Sequence, residues 1–371
     1  MNSEMCPAKN VDGREDVAHD GSKTVQDLVS PRVSVVIVTY RSTNELPKCI
    51  ESVLRQTVPL ETFVVDNASP DRTPQMVADY AKRFQNVHAI LNAENIGLAA
   101  GNNCVLGKCR GEYVLILNPD TALPENSLNG MVNFLDKNVD VGVLGPKNLY
   151  EDGTPHLSFL RRWDLWSAIL WRIVPYRFPR LIYDRFASYR YQDVLAVSGS
   201  CLLIRRRIFE QIGGYDPELF LTLEDVFDLC IRAKATGSRV VFLPDVEVFH
   251  YTGRSGAQVP YLTAWQGMRG TIYHFLKHRG IVAALVISLL LTASAAVRVV
   301  AGYSLGIFNP KFREMGRVYA RILRDLLVQN PMLERRESNR LLSHPTDTFS
   351  KDATGIVNRA PASAKRAPGA N

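Results

Sequence analysis

VSVVIVT, residues 33–39, is an almost unbroken run of apolar, mostly β-branched side chains. Such a run has no polar face, so it reads as a strand covered on both sides, the situation of a parallel sheet sandwiched between helices. Ser42 and Glu45 follow in the S-x-x-E spacing of a capping box. Leu46, Cys49, Ile50, Val53 and Leu54 then recur at helical intervals, which predicts a helix packed back onto the strand. Further along, strands are expected at Thr62–Val65, Val87–Leu91 and Tyr113–Leu117, with helices around Gln75–Phe84, Leu98–Lys108 and Ser127–Lys137. Strands alternating with helices imply a parallel sheet with right-handed crossovers and a ligand at the carboxyl ends of its strands. A second α/β portion is expected from a strand at Val194–Ile204, a helix at Thr222–Thr236 and a strand at Arg239–Leu243.

Polar clusters stand at the four expected strand ends: Thr39-Tyr40-Arg41, Asp66-Asn67-Ala68-Ser69, the stretch from Asn92 to Asn103, and Asn118-Pro119-Asp120-Thr121. Any one of them could be turn chemistry, since Asn, Asp, Gly and Pro are the usual turn formers. Four at successive strand ends line a crevice. There is no GxxxxGK[ST] and no GxGxxG after the first strand, so neither a P-loop nor a dinucleotide fingerprint holds a diphosphate here. Carboxylate oxygens that bind Mg²⁺ or Mn²⁺ are the remaining route, and Asp120 in its Asn-Pro-Asp turn is the candidate ligand.

The net charge of +7 over 371 residues suits an anionic partner: a diphosphate, an acidic membrane surface or nucleic acid. Six scattered cysteines without a CxxC pair predict thiols in a reducing compartment, and the polar first thirty residues lack a secretory leader, so a cytosolic working end is expected. Residues 1–31 read as a flexible arm and 338–371 as a disordered tail. Residues 160–192 mix Arg, Trp and Tyr, either as an irregular insertion packed on the core or as a membrane- or nucleic-acid-facing surface. Ile281–Val297 is the one strongly apolar run, at the lower edge of a membrane span, with basic residues on both sides. A span or re-entrant segment and an interfacial helix stand level, with a buried core helix third.

VSVVIVTY, VVDNASPD, LNAENIGLAAGNN, GEYVLILNPDT, GPKNLYEDG, VSGSCLLIRRRIFEQIGGYDPELF, LEDVFDLCIR and VFHYTGRS, in that order, resemble the successive motifs of the family 2 glycosyltransferases, above all their bacterial rhamnosyltransferase-type branch. The resemblance runs from about Val33 to about His278. It implies the GT-A fold, with a Rossmann-like nucleotide-binding half (32–125) fused to an acceptor half (126–279) in one sheet. A helical, membrane-associating region (280–337) would follow. The resemblance also implies that Thr39 and Tyr40 line the nucleobase pocket and that Asp66 binds the base edge. Asn67 and the stretch around Asn95 and Gly97 would lie near the ribose and diphosphate. Asn118-Pro119-Asp120 occupies the place of the family's DxD motif, with Asn118 as a neutral first member and Asp120 as the ligand of Mg²⁺ or Mn²⁺. His250 would complete the metal or diphosphate shell, with Arg254 and Ser255 near enough to assist.

The catalytic base implied by the family's E-D motif is Asp225. The chain departs from the usual pattern by one extra residue in Glu224-Asp225-Val226-Phe227-Asp228. One added helical residue rotates the later side chains by roughly 100° and leaves Asp228 as the rival. Leu223, Val226, Phe227, Cys230 and Ile231 fall on one arc of that helix, while Glu224, Asp225, Asp228 and Arg232 fall on the opposite one, where Asp228 and Arg232 form an i,i+4 pair that by itself reads as a solvated salt bridge. Arg41 replaces the Asn common after Thr-Tyr. The implied reaction moves a sugar, rhamnose by the branch, from a nucleotide-diphosphate donor to a glycan or polyprenyl-linked acceptor with inversion. The implied setting is the cytoplasmic face of the inner membrane, without nucleic acid. A nucleotidyltransferase would want a glycine-rich basic loop after the first strand, and Tyr40-Arg41-Ser42-Thr43-Asn44 has no glycine. The alternative is a non-catalytic nucleotide-sugar sensor or nucleic-acid binder using the same crevice or the 160–192 stretch, and the carboxylates at Asp66, Asp120 and Asp225 together argue against a pure binder.

Overall fold

A computed structural model describes residues 8–10, 30–168, 190–220, 223–251 and 260–328. Most of the expected N-terminal arm, most of the basic-aromatic stretch, Arg254, Ser255 and the expected tail lie outside the described residues.

The VSVVIVT run is strand β2 (Val33–Thr39), buried along its whole length. Its side chains alternate between two cores, as the period of a strand requires. Val33, Val35 and Ile37 pack with helices α1 (Leu46–Leu54), α2 (Thr73–Arg83) and α4 (Ser127–Lys137). Val36 and Val38 face the opposite core, with α3 (Leu98–Asn103), α6 (Glu224–Ala235) and α7 (Pro260–Arg279). Strands β3 (Leu60–Asp66), β4 (Val87–Asn92) and β5 (Tyr113–Leu117) flank β2 in the order β4-β3-β2-β5, all parallel. A short β1 (Ala8–Asn10) adds to β4 antiparallel.

The expected parallel arrangement holds for β2 to β5, and beyond β5 the sheet is mixed. Strand β11 (Cys201–Arg205) runs antiparallel to β5, with Cys201 opposite Leu117 and Arg205 opposite Tyr113, and antiparallel to β7 (Val141–Leu149). Two short strands, β9 (Gln192–Asp193) and β10 (Ala196–Val197), precede the turn at Ser198-Gly199-Ser200, which divides the strand expected over Val194–Ile204. The latter, β10, pairs with β8 (Phe159–Leu160) in a separate ladder. Strand β12 (Arg239–His250) is parallel to β7 and runs seven residues past the expected end at Leu243, far enough to pair antiparallel with β6 (Thr121–Ala122). That extension carries His250 to the site.

Other expectations change. No capping box forms at α1: Glu45 occupies the N-cap position without a side-chain capping bond, and the backbone carbonyl of Ser42 accepts from Glu45 and Leu46. The helix expected over Leu98–Lys108 ends at Asn103 and gives way to turns, with Gly107 at φ 74°. The polar arc of α6 is not solvated: Glu224, Asp225 and Asp228 are all buried, because α7 packs over them. Cys49, Cys109, Cys201 and Cys230 are buried thiols, as expected, but Cys104 is disulfide-bonded. The apolar run forms most of α8 (Ile281–Leu305), followed by α9 (Pro310–Val328), and both join the core that α6 and α7 share. A short α5 (Arg206–Gln211) caps β11.

Candidate active site

The Asn118-Pro119-Asp120 turn is held by two neighbours. The N–H of Asn118 donates to Ser200 O at 2.9 Å, and the hydroxyl of Thr121 reaches the same carbonyl at 3.2 Å. On the other side Thr121 pairs with His250, and Tyr251 N donates to Asp120 O at 2.9 Å. The ladder therefore places the His250 ring over the Asp120 carboxylate, with Nε2 3.2 Å from Oδ1. Burial pushes the Asp120 carboxyl upward, but the His250 hydrogen bond and charge outweigh it and hold the group below the usual carboxylate range.

His250 Nδ1 is buried and has no hydrogen-bond partner among the described residues. Edge-on to it, at 5.2 Å between ring centroids, lies His156, whose own Nδ1 is likewise buried and unpartnered. Burial first, and the neighbouring His250 second, push His156 down to about 3, so its imidazole is neutral. Tyr150 packs against the far side of His156 at 4.6 Å. Sequence reasoning missed His156: it stands at no strand end and carries no local motif.

Among the described residues no three His, Cys, Asp or Glu side chains converge on one point as a closed metal cage. Asp120 and His250 offer one carboxylate oxygen and one imidazole nitrogen on the rim of an open crevice. That donor set suits a hard divalent cation that takes its remaining ligands from phosphate oxygens and water.

The other strand ends form a continuous hydrogen-bonded rim. Asp66 accepts from Ser69 twice, from the backbone N–H at 2.9 Å and from the hydroxyl at 2.6 Å; Ser69 Oγ in turn accepts from Arg41 N at 2.9 Å. Burial raises the Asp66 carboxyl against those bonds. The same bonds hold two non-glycine residues in the left-handed region, Arg41 at φ 54° and Ala68 at φ 55°. The Tyr40 ring lies under the Arg41 guanidinium at 5.5 Å, and the Thr39 hydroxyl is buried without a hydrogen-bond partner among the described residues.

Asn67 is a strut between three elements. Its amide donates to Gly97 O at 2.9 Å and accepts from Asn92 at 2.8 Å, while its backbone N–H binds Thr39 O. Asn95 accepts from Gly97 N at 3.0 Å. Gly97 has φ 86°, and a Cβ there would lie 2.6 Å from the Phe220 ring and 2.7 Å from its carbonyl, so only glycine lets the two halves close. Phe220, which closes this seam by accepting from Leu98 N at 2.7 Å, was also not singled out by the sequence.

Asp225 stands in the first turn of α6, buried, with Oδ1 accepting its neighbour's N–H from Val226 at 2.5 Å. The turn that anchors Asn118 also backs onto this helix: a Cβ on Gly199 would touch the Val226 side chain at 3.7 Å. The rival acid is differently placed. Asp228 is fully buried and paired with Arg232 at 2.7 Å, Lys277 at 2.7 Å and His278 at 2.8 Å. Burial alone would raise it, but those three groups drive it far below the usual range. Asp228 thus ties α6 to the last turn of α7, and the extra residue is absorbed in that anchor.

A parallel half-sheet with polar strand ends, continued through an antiparallel strand into a mixed second half, is the GT-A architecture of glycosyltransferases. Residues 34–213 match the family model described as Glycosyl transferase family 2, and the chain carries a family 2 glycosyltransferase domain and is a glycosyltransferase. It is 29% identical over 245 residues to the N-acetylglucosaminyl-diphospho-decaprenol L-rhamnosyltransferase of Mycobacterium tuberculosis, spanning 61% of this chain and 78% of that protein. Over 132 residues it is 29% identical to the putative teichuronic acid biosynthesis glycosyltransferase TuaG of Bacillus subtilis, covering 35% of this chain and 52% of that one. Among solved structures, the mannosyltransferase PcManGT from Pyrobaculum calidifontis, solved with GDP-Man and Mn²⁺, superposes with a TM-score of 0.49 at 20% identity, over 82% of this chain and 88% of that one.

Proposed function

We propose that the chain transfers a sugar, rhamnose being the expected one, from a nucleotide-diphosphate donor to a hydroxyl of a lipid-linked glycan, with inversion, at a membrane surface. The observation that carries this reading is the half-buried Asp120–His250 pair at the carboxyl end of the sheet, joined through the Ser198–Ser200 turn to the helix whose first turn holds Asp225. The rhamnosyltransferase relative, named for a diphospho-decaprenol acceptor, supports the sugar and the acceptor class.

Asp120 and His250 are the residues that would hold a divalent cation, which when bound supplies positive charge for the departing diphosphate. Thr39, Tyr40 and Asp66 are assigned to the nucleobase, and Asn67, Asn95, Gly97 and Asn118 to shaping the ribose and diphosphate stretch. Asp225 accepts the proton of the acceptor hydroxyl as that oxygen bonds to the anomeric carbon. The carbon's bond to the diphosphate oxygen breaks on the opposite face, and the nucleoside diphosphate leaves with the electron pair. With a single carboxylate acting, the configuration inverts. A panel of nucleotide-diphosphate sugars, screened for thermal stabilisation of the purified protein with and without Mn²⁺, tests the donor class. Stabilisation by one nucleotide sugar that needs the metal is the expected result, and no stabilisation by any member of the panel would overturn the reading.

A further inference from the structure

Helix α8 is 25 residues of mean hydropathy 2.2 in its most apolar window, long enough at about 37 Å to cross a bilayer. Its packing argues against crossing. One face is buried from end to end: Ala284, Ile287, Leu291, Ala295 and Gly302 all point into protein. That face is covered by α7 and α9, whose apolar residues belong to the same core as the catalytic helix α6. At the α8–α9 crossing the backbones nearly touch, since a Cβ on Gly302 would lie 2.5 Å from Gly316 Cα. A vertical α8 would therefore carry both neighbours into the hydrocarbon. Helix α7 bears Arg269, His274 and Lys277, and α9 bears Arg313, Arg317 and Arg324, charges that the bilayer core rejects.

The opposite face is bare and apolar. Ile281, Leu285, Leu289, Val297 and Val300 form a stripe at intervals of three, four and eight residues, with exposures of 56–72%, and Phe308 continues it at 86%. No charged residue interrupts the helix between Ile281 and Val297. Beside it, α9 exposes Arg313 and Arg317 one turn apart, while Arg324 is tied to Asp325, which is buried against Tyr261. Arg279 stands exposed just before the start of α8. An apolar stripe flanked by exposed cations matches the boundary between acyl chains and anionic headgroups.

We infer that α8 lies flat in the membrane interface, apolar stripe down, as a docking face for an anionic bilayer on the same side as the catalytic domain. This rests on the membrane reading of the proposed function and fixes its geometry: the chain docks on one leaflet, so an acceptor in that leaflet meets the crevice without either crossing the bilayer.

The test uses the full chain with a C-terminal epitope tag. Purified protein is floated with vesicles of phosphatidylcholine alone or with added phosphatidylglycerol. Membrane vesicles of both orientations from expressing cells are then treated with protease. The expected result is flotation favoured by the anionic lipid, with catalytic domain and tag cleaved from the same side. The doubly substituted Leu285→Glu/Leu289→Glu protein should lose at least tenfold in vesicle binding with an unchanged melting temperature. Arg313→Glu/Arg317→Glu should lose most of the preference for anionic lipid. A tag protected where the catalytic domain is cleaved would show a span and overturn the flat geometry while leaving membrane association intact. Failure to float with any vesicle, together with self-association in sedimentation, would assign the stripe to a second copy and overturn the inference and the membrane reading together.

Discussion

His250 Nε2 sits 3.2 Å from Asp120 Oδ1, although 130 residues separate the two in sequence. The two-residue strand β6 makes the pairing possible, because its ladder with the end of β12 aligns Thr121 with His250. The pair keeps the carboxylate ionised in the crevice, where it would hold a divalent cation.

Mn²⁺ binding should therefore depend on both members. In a titration followed by electron paramagnetic resonance in the presence of nucleoside diphosphate, Asp120→Ala should abolish tight Mn²⁺ binding. His250→Ala should weaken it by roughly 10- to 100-fold, the scale seen when a support of a metal site is lost. Equal Mn²⁺ affinity in wild type and Asp120→Ala would remove the assignment.

Asp228 is predicted to matter for folding. It is fully buried among Arg232, Lys277 and His278, and removing its charge breaks its ion pairs with Arg232 and Lys277 inside the protein. Asp228→Asn should cost about 3–5 kcal/mol in urea unfolding. Donor affinity per folded molecule should stay near wild type. Unchanged stability with lost turnover would instead make Asp228 the base and shift the register of α6.

Gly97→Ala should destabilise the seam between the two halves. The residue would have to hold φ 86° and place a methyl 2.6 Å from the Phe220 ring. An expected loss of about 1–3 kcal/mol is read by thermal or urea unfolding. Phe220→Ala in the same background should recover part of it by opening space, although the backbone strain remains.

Acid should destabilise the α6–α7 contact partly through His274. Burial holds this imidazole down to about 4, with Glu224 and Asp228 of α6 pulling it up and His278 and Lys277 of α7 pushing it down. The unfolded chain therefore binds the proton first as pH falls below the ordinary histidine value, and stability drops until the folded group titrates near 4. Between pH 7 and pH 5 this amounts to about 2 kcal/mol. A His274→Gln protein should show a correspondingly shallower loss in urea unfolding over that window, and an unchanged slope would exclude His274 as its source.

How much of this was legible in the sequence differs between the two halves. Helix-then-strand repetition from Val33 to Leu117 is a local pattern, and β2 to β5 stand within a residue or two of where it puts them. The antiparallel return was not legible. CLLIR at 201–205 is equally apolar in either direction, and only the Ser198-Gly199-Ser200 turn decides it. The polar arc of α6 read as solvated because the groups that bury it, Thr271, Lys277 and His278, come 40 to 50 residues later. His156 had no signal at all, since its place beside His250 is set by the β7–β12 pairing and the turn after β7. Asp66, Asn67, Asn95 and Gly97 were legible as a group because each ends or follows a strand, but their mutual hydrogen bonds were not.

The central claim is that Asp225 is the base of a metal-assisted transfer, and one comparison tests it most directly. Donor affinity and the single-turnover rate of transfer to a lipid-linked acceptor are measured with Mn²⁺ for wild type and Asp225→Asn. Donor affinity is expected within about twofold of wild type, with transfer slower by roughly 10²-fold or more. Transfer by Asp225→Asn at the wild-type rate, with the donor bound equally well, would contradict it.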